Sequence, residues 1–339
     1  MRLSILFPAL LLCFCCSRTA LSNPPEELGQ VEWQRDFEKG LERASLENKP
    51  IFLLFQEVPG CATCRSYGNM VLSHPLIVEA IETLFVPVAI FNNKGGKDAE
   101  VLQYYNEPAW NNPVVRIVDY DRLDVVPRVS GNYSQLGVVQ AMVFALERRS
   151  KAIPAYLQLL YEDLLARQQG LETTTLSMYC FWTGEKALGQ LNGVVATEAG
   201  FMDGHEVVQV AYNPKAISFE EVVKASRQAQ CADRVYAHNE SQKVAAAALL
   251  GQGKTGAATS FHPDREPKYY LSKTHYRFVP MFPLQAARAN ALIGQGMSPE
   301  GVLSPRQVEL ANQMKAHPEK KWESVIGKDM MKAWEWKER

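Results

Sequence analysis

Cysteine is scarce in this chain once its first residues are set aside. Three of its seven cysteines, Cys13, Cys15 and Cys16, fall in an apolar leader; the rest of the chain carries Cys61, Cys64, Cys180 and Cys231. Four thiols are too few to staple a chain of 339 residues, so a disulfide scaffold is excluded. An excess of one charge is missing too: 36 Lys+Arg stand against 37 Asp+Glu, and no basic face is evident, so nucleic acid is not an expected partner. No low-complexity tract and no internal repeat occurs. With 47% hydrophobic residues the chain should fold rather than stay disordered. There is no His-x-x-x-His, no second Cys-x-x-Cys to complete a zinc set and no Gly-x-Ser-x-Gly. Metal and serine chemistry are therefore not expected, and no cofactor beyond redox-active cysteines is called for.

The leader is present and readable. Arg2 precedes an apolar stretch from residue 3 to about 16, followed by small residues at Ser17, Ala20 and Ser22. That shape is a secretory signal peptide, too short for a comfortable membrane span. It predicts cleavage after Ser22 and a secreted or periplasmic protein. The alternatives are an uncleaved anchor or a lipid on one of the leader cysteines, and only these would bring the chain to a membrane.

The length points to two domains. Residues 33–46 carry apolar side chains at helical spacing, 51–55 read as a strand, and 75–84 as a helix with proline in its first turn. Strands at 85–91 and 114–118 and a closing helix at 136–148 follow. Residues 153–165 have a one-sided apolar pattern, and 168–175 read as a polar boundary. Beyond it, a helix follows Cys180 and stops at Asn192-Gly193. Residues 194–201 and 206–212 alternate as paired strands. Ser218 and Glu221 form a capping box for a helix to about residue 230. Residues 251–256 read as a flexible Gly-rich loop.

Cys61-Ala-Thr-Cys64 stands where the first strand hands over to a helix. Unpaired N–H groups at a helix start favour a thiolate, so Cys61 is activated and Cys64 is placed to resolve it. In order of elements, and in Asn112-Pro113 before a later strand, residues 33–149 resemble the thioredoxin superfamily. Val58-Pro59-Gly60-Cys61 is similar to a small bacterial group in which some members carry selenocysteine where Cys61 stands. The resemblance implies that Cys61 attacks, Cys64 resolves, and Pro113 is a cis-proline shaping the groove for a substrate thiol.

Tyr179-Cys180-Phe181-Trp182-Thr183-Gly184-Glu185 resembles the Gly-Cys-Phe-Trp-Gly-x-Glu signature of the A-type peptide methionine sulfoxide reductases. Gly204-His205-Glu206-Val207-Val208 and Tyr212-Asn213-Pro214 resemble that family's later motifs, and the likeness runs over residues 176–290. Taken alone, a single cysteine in Cys-Phe-Trp reads as core. Beside Glu206 it reads as a nucleophile paired with an acid. A sulfoxide sulfur is attacked by a thiolate while its oxygen takes a proton. The resemblance implies Cys180 as nucleophile, Glu206 as the acid, buried so that it stays protonated, and Phe181 and Trp182 as the wall for the substrate methyl. Cys231 is either a resolving thiol or a small buried residue. The family's Asn-Asp-His-Gly-Thr-Gln-Tyr stretch is absent, which leaves Asp233, Tyr236 and Tyr276 as candidate replacements in the oxygen-binding network.

The expected fold is α/β: a thioredoxin-like domain followed by an α+β methionine-sulfoxide-reductase-like domain. The expected division is a signal peptide at 1–22, the first domain at 30–150, a helical linker at 151–175, the second domain at 176–310 and a charged tail at 311–339. The expected function is peptide-methionine (S)-S-oxide reduction, with the dithiol as fused electron donor. Its partners would be an oxidised protein or peptide and an external dithiol. The alternatives are a secreted thiol–disulfide oxidoreductase with a degenerate second module, and a non-enzymatic redox-responsive binding protein.

Overall fold

The computed structural model describes residues 25–229 and 232–335. The leader at 1–22, Cys231 and Trp336 lie outside the described residues. Helix α1 (Phe37–Glu47) starts later than the apolar spacing from Trp33 suggested. Asp36 caps it, its carboxylate accepting from the Glu38 and Lys39 N–H groups, and Gln34 instead bridges to Val88. Strand β1 (Ile51–Gln56) is buried along its whole length. Helices α2 (Ala62–Met70) and α3 (Pro75–Leu84) follow, then β2 (Val86–Phe91), α4 (Lys97–Tyr104), β3 (Val114–Val118), β4 (Val129–Ser130) and α5 (Gln135–Arg148). The sheet order is β2-β1-β3-β4, with β1 parallel to β2 and antiparallel to β3. A continuous apolar run such as Ile51-Phe52-Leu53-Leu54-Phe55 suits a central strand covered on both faces.

Helix α6 (Ala155–Gln169) leads into β5 (Glu172–Ser177). Against the polar boundary expected at 168–175, residues 172–175 belong to a strand inside the second sheet. Thr174 and Thr175 are fully buried, and β-branched threonines fit a pleated interior when their hydroxyls or neighbours compensate. The chain continues with α7 (Phe181–Leu188), β6 (Val194–Met202), β7 (His205–Tyr212), α8 (Phe219–Gln228), β8 (Arg234–Ala237), α9 (Glu240–Leu250), β9 (Thr255–Ala257) and β10 (His262–Pro263). The order is β10-β6-β7-β5-β8-β9. The α8 capping box forms as expected. Helix α7 ends one turn early, and the Gly-rich stretch at 251–256 supplies a short 3-10 turn and the start of β9.

Helices α10 (Tyr269–Ser272), α11 (Pro283–Gly294), α12 (Pro305–Ala316) and α13 (Met330–Glu335) complete the chain. The described part of the expected charged tail carries the end of α12 and all of α13. Ala311 and Met314 are buried on α12, and Met330 and Trp334 join the same apolar cluster as Leu72, Leu76 and Ile77 of the first half. Phe282, Leu284 and Val195 enter that cluster too, so the two halves share one core across α5 and α6. Arg306 adds a polar tie: its backbone N–H donates to Glu79 Oε1 at 2.9 Å, and its guanidinium pairs with Glu82. None of the described helices is long and apolar enough to cross a membrane.

Candidate active site

Strand β1 delivers the first site. After Gln56 the chain turns through Val58-Pro59-Gly60 and places Cys61 as the N-cap of α2. Gly60 is needed there, because a Cβ would collide with the Glu57 carbonyl oxygen and Cys64 Cβ. Cys61 is exposed and Cys64 buried, with their sulfurs 3.3 Å apart. The backbone N–H of Cys64, then its thiol and Thr63, hold the Cys61 thiol below the ordinary cysteine range. Burial, then the neighbouring Cys61, pushes Cys64 up to about 11. The outer thiol is thus eased toward its thiolate and the inner one held toward its S–H form. The Asn112–Pro113 peptide is cis, and Cys64 Sγ donates to Asn112 Oδ1 at 2.7 Å.

Glu57 brings a carboxylate oxygen within 4.8 Å of both sulfurs, so Glu57, Cys61 and Cys64 together offer three metal-ligand atoms. Two thiolates on a tetrahedral zinc, each about 2.3 Å from the metal, stand roughly 3.8 Å apart. The closer 3.3 Å spacing here suits a pair that interconverts between thiols and a disulfide.

The second site forms at the end of β5. Met178 N–H still bonds Glu206 O of β7, Tyr179 stands 91% exposed, and Cys180 is the half-buried N-cap of α7. Gly184 lets α7 lie close to this turn, since a Cβ there would press on the Met178 side chain. Glu206 Oε2 accepts from the Phe181 N–H at 3.0 Å, so the carboxylate occupies the helix start immediately beside Cys180. Aromatic side chains pack next to this helix start. Phe181 packs on Trp182 and on Phe201, whose strand position pairs with Glu206. The Trp182 indole stacks on Tyr269 at 3.7 Å and donates through Nε1 to Asp264 Oδ2 at 3.0 Å.

The structure therefore brings Cys61 together with Cys64, and sets the Glu206 carboxylate on the Phe181 N–H next in chain to Cys180, with Trp182 beside them. Glu206 is half-buried and hydrogen-bonded to a helix-start N–H, not buried in an apolar site as expected. Pro113 follows the residue that bonds Cys64. The candidate oxygen-binding replacements do not assemble. Tyr236 pairs with Thr175, and Thr175 with Gln209, so these share one face of the sheet. Gln209 and Glu206 lie three residues apart on β7 and point to opposite faces, which turns Tyr236 away from Cys180. Tyr276 sits in a separate cluster and donates to Glu300 Oε1 at 2.9 Å. Asp233 is exposed, with its backbone N–H on Ser177 O. Phe201 and Asp264, which contact Phe181 and Trp182, carry no signal in the local motifs. The β6–β7 register places Phe201 opposite Glu206; Asp264 follows the two-residue strand β10, too short to leave a periodic pattern.

A thioredoxin-like family model matches residues 32–120. A peptide methionine sulfoxide reductase MsrA of Methanosarcina acetivorans is 31% identical over 147 residues, covering 32% of this chain and 77% of that relative. An MsrA of Methanococcus maripaludis is 33% identical over 70 residues, covering 16% of this chain and 45% of that relative. A solved structure titled DsbH oxidoreductase covers 38% of this chain and 92% of its own at 17% identity, with a TM-score of 0.31. Two thiol sites on a mixed α/β frame define an oxidoreductase acting on sulfur groups. Through its second half, the chain belongs to the MsrA family of peptide methionine sulfoxide reductases.

Proposed function

We propose that this protein is a peptide-methionine (S)-S-oxide reductase whose own thioredoxin-like half feeds it electrons. The observation that carries the reading is the Glu206 carboxylate seated on the Phe181 N–H, next in chain to the N-cap Cys180. The Cys180 thiol attacks the sulfoxide sulfur while Glu206 delivers a proton to the oxygen. Methionine leaves and Cys180 becomes a sulfenic acid. Phe181 and Trp182, backed by Phe201 and Tyr269, hold the methyl group. A second thiol, Cys231 or Cys61, then condenses with the sulfenic acid to a disulfide and releases water. The Cys61/Cys64 pair ends as a disulfide and is reduced again by an external dithiol. Pro113 borders the groove for that exchange. Fusion raises the local concentration of the donor thiol, and the leader carries the enzyme out of the cytoplasm to a place where oxidised proteins accumulate.

A second reading draws on Tyr236 pointing away from the site: the second half binds sulfoxide-bearing protein while only the dithiol turns over. Purified full-length protein, a methionine sulfoxide peptide and a small dithiol separate the two. Turnover that survives Cys61→Ser and disappears in Cys180→Ser supports the reductase. Absence of turnover in the wild type, with insulin disulfides still reduced, overturns it in favour of the second.

A further inference from the structure

The buried thiol Cys64 is bonded to a residue 48 positions away. Its Sγ donates to Asn112 Oδ1 at 2.7 Å. The other end of that amide is engaged, Nδ2 donating to Ala109 O at 3.3 Å. Asn112 cannot turn an N–H toward the sulfur without losing that bond, so it meets Cys64 as an acceptor. The loop itself is braced: Asn92 Nδ2 lies 3.3 Å from both Ala109 O and Asn111 O, and Asn111 N–H bonds Pro108 O at 2.9 Å. An acceptor favours the S–H form of a thiol over its thiolate. Cys61 sees the reverse environment, exposed at a helix start with a backbone N–H directed at it.

We propose that Asn112 is the positioning residue of the resolving thiol: it keeps Cys64 protonated and in place, so that Cys61 alone makes the first attack. The proposal rests on the reading of the first half as a working dithiol. Cys61 thiolate attacks a substrate disulfide R–S–S–R′, forming Cys61–S–S–R and expelling R′–S⁻. Cys64 sulfur then bonds to Cys61 sulfur, the Cys61–S–R bond breaks, and the Cys64 proton leaves on R–SH. The two cysteines lose two electrons and the substrate gains two. No S–H is left in the resulting disulfide, so the bond to Asn112 exists only in the reduced pair and favours that state. The titratable groups facing Cys64 are Cys61 and Glu57. Glu27 accepts from Gly60 N–H, and Arg65 donates to Gly60 O from α2; residues 108–113 carry no charge.

The test uses the full chain carrying Cys61→Ser, with alkylation of Cys64 followed against pH by peptide mass spectrometry. Adding Asn112→Ala is expected to lower the midpoint by roughly half to one pH unit, the size of one lost hydrogen bond. Adding Asn112→Asp, which places a charged acceptor there, is expected to raise it. Midpoints that move together, or not at all, overturn the proposal. In the otherwise wild-type chain, glutathione redox buffers provide a second reading. Asn112→Ala is expected to shift the disulfide midpoint toward the oxidised pair by roughly threefold to tenfold. A disulfide that forms with an unchanged midpoint overturns the role of Asn112 alone. Failure of the wild type to form any Cys61–Cys64 disulfide overturns the dithiol reading, and the proposal with it.

Discussion

Cys180 and Glu206 come from different elements, the turn after β5 and the first residues of β7, yet they share the start of α7. The carboxylate caps the Phe181 N–H, next in chain to Cys180, through Oε2 at 3.0 Å, which fixes the group at the helix start. Glu206→Gln keeps that geometry and removes the transferable proton. Turnover of a methionine sulfoxide peptide should fall by roughly 10²–10⁴-fold. Alkylation of Cys180 in the same variant, read by mass spectrometry, should persist and so separate loss of the acid from loss of the fold. Cys61 and Cys64 show the same principle in another form, since one position at the helix boundary and one a turn further in give two thiols opposite tendencies.

The turn between β1 and α2 is the element on which the dithiol depends. Its backbone is pinned by Gly60 N–H to Glu27 Oε1 at 2.8 Å, by Arg65 Nη1 to Gly60 O at 2.6 Å, and by Asn93 Nδ2 to Pro59 O at 3.3 Å. There is no room in it for a side chain at position 60, where backbone oxygen and Cys64 Cβ crowd the site. Gly60→Ala must displace one of them. Insulin-disulfide reduction should drop at least tenfold while Cys180-dependent sulfoxide reduction, driven by a small dithiol, is spared. Equal loss of both activities would mean that the change unfolds the chain rather than the turn. Most of these elements could be read from the sequence, because helix caps, proline at a first turn and apolar period are local. Strand β5 has no local signature, because Thr173-Thr174-Thr175 lacks apolar alternation; it is set as a strand by pairing with β7 and β8 on either side.

Across the whole molecule the C-terminal segment acts as a strap from the second half back to the first. Trp334 is buried to 8% exposure in the cluster that contains the α2–α3 junction. Trp334→Ala should cost about 3–5 kcal/mol, measured by urea unfolding, and should lower the stability of the dithiol half although α13 lies far from it in sequence. The same junction holds His74, buried as the N-cap of α3 with its Nδ1 unbonded. Burial lowers its pKa to about 4, against the opposing pull of Asp329. The folded protein therefore resists protonation that the unfolded chain accepts near 6.5. The associated stability is complete above that value and is lost as pH falls toward 4, by an amount on the order of 3 kcal/mol. Unfolding midpoints of the wild type and His74→Gln should converge as pH drops from 7 to 4. Parallel lines over that range would remove His74 from the acid response.

What the residues alone made legible is the local part of each site: Cys61 and Cys64 lie within one helical turn, and Cys180-Phe181-Trp182 stand in one run at the start of α7, whereas Glu206 reaches that start only through the pairing of β7 with β5. What surrounds those residues comes from long-range packing. The bond from Cys64 to Asn112, the stacking of Tyr269 on Trp182, the turning away of Tyr236 and the docking of Trp334 join residues tens to hundreds of positions apart. Such contacts follow from which apolar faces cover one another and which sheet face a strand register exposes. Neither is encoded in the residues next to the site.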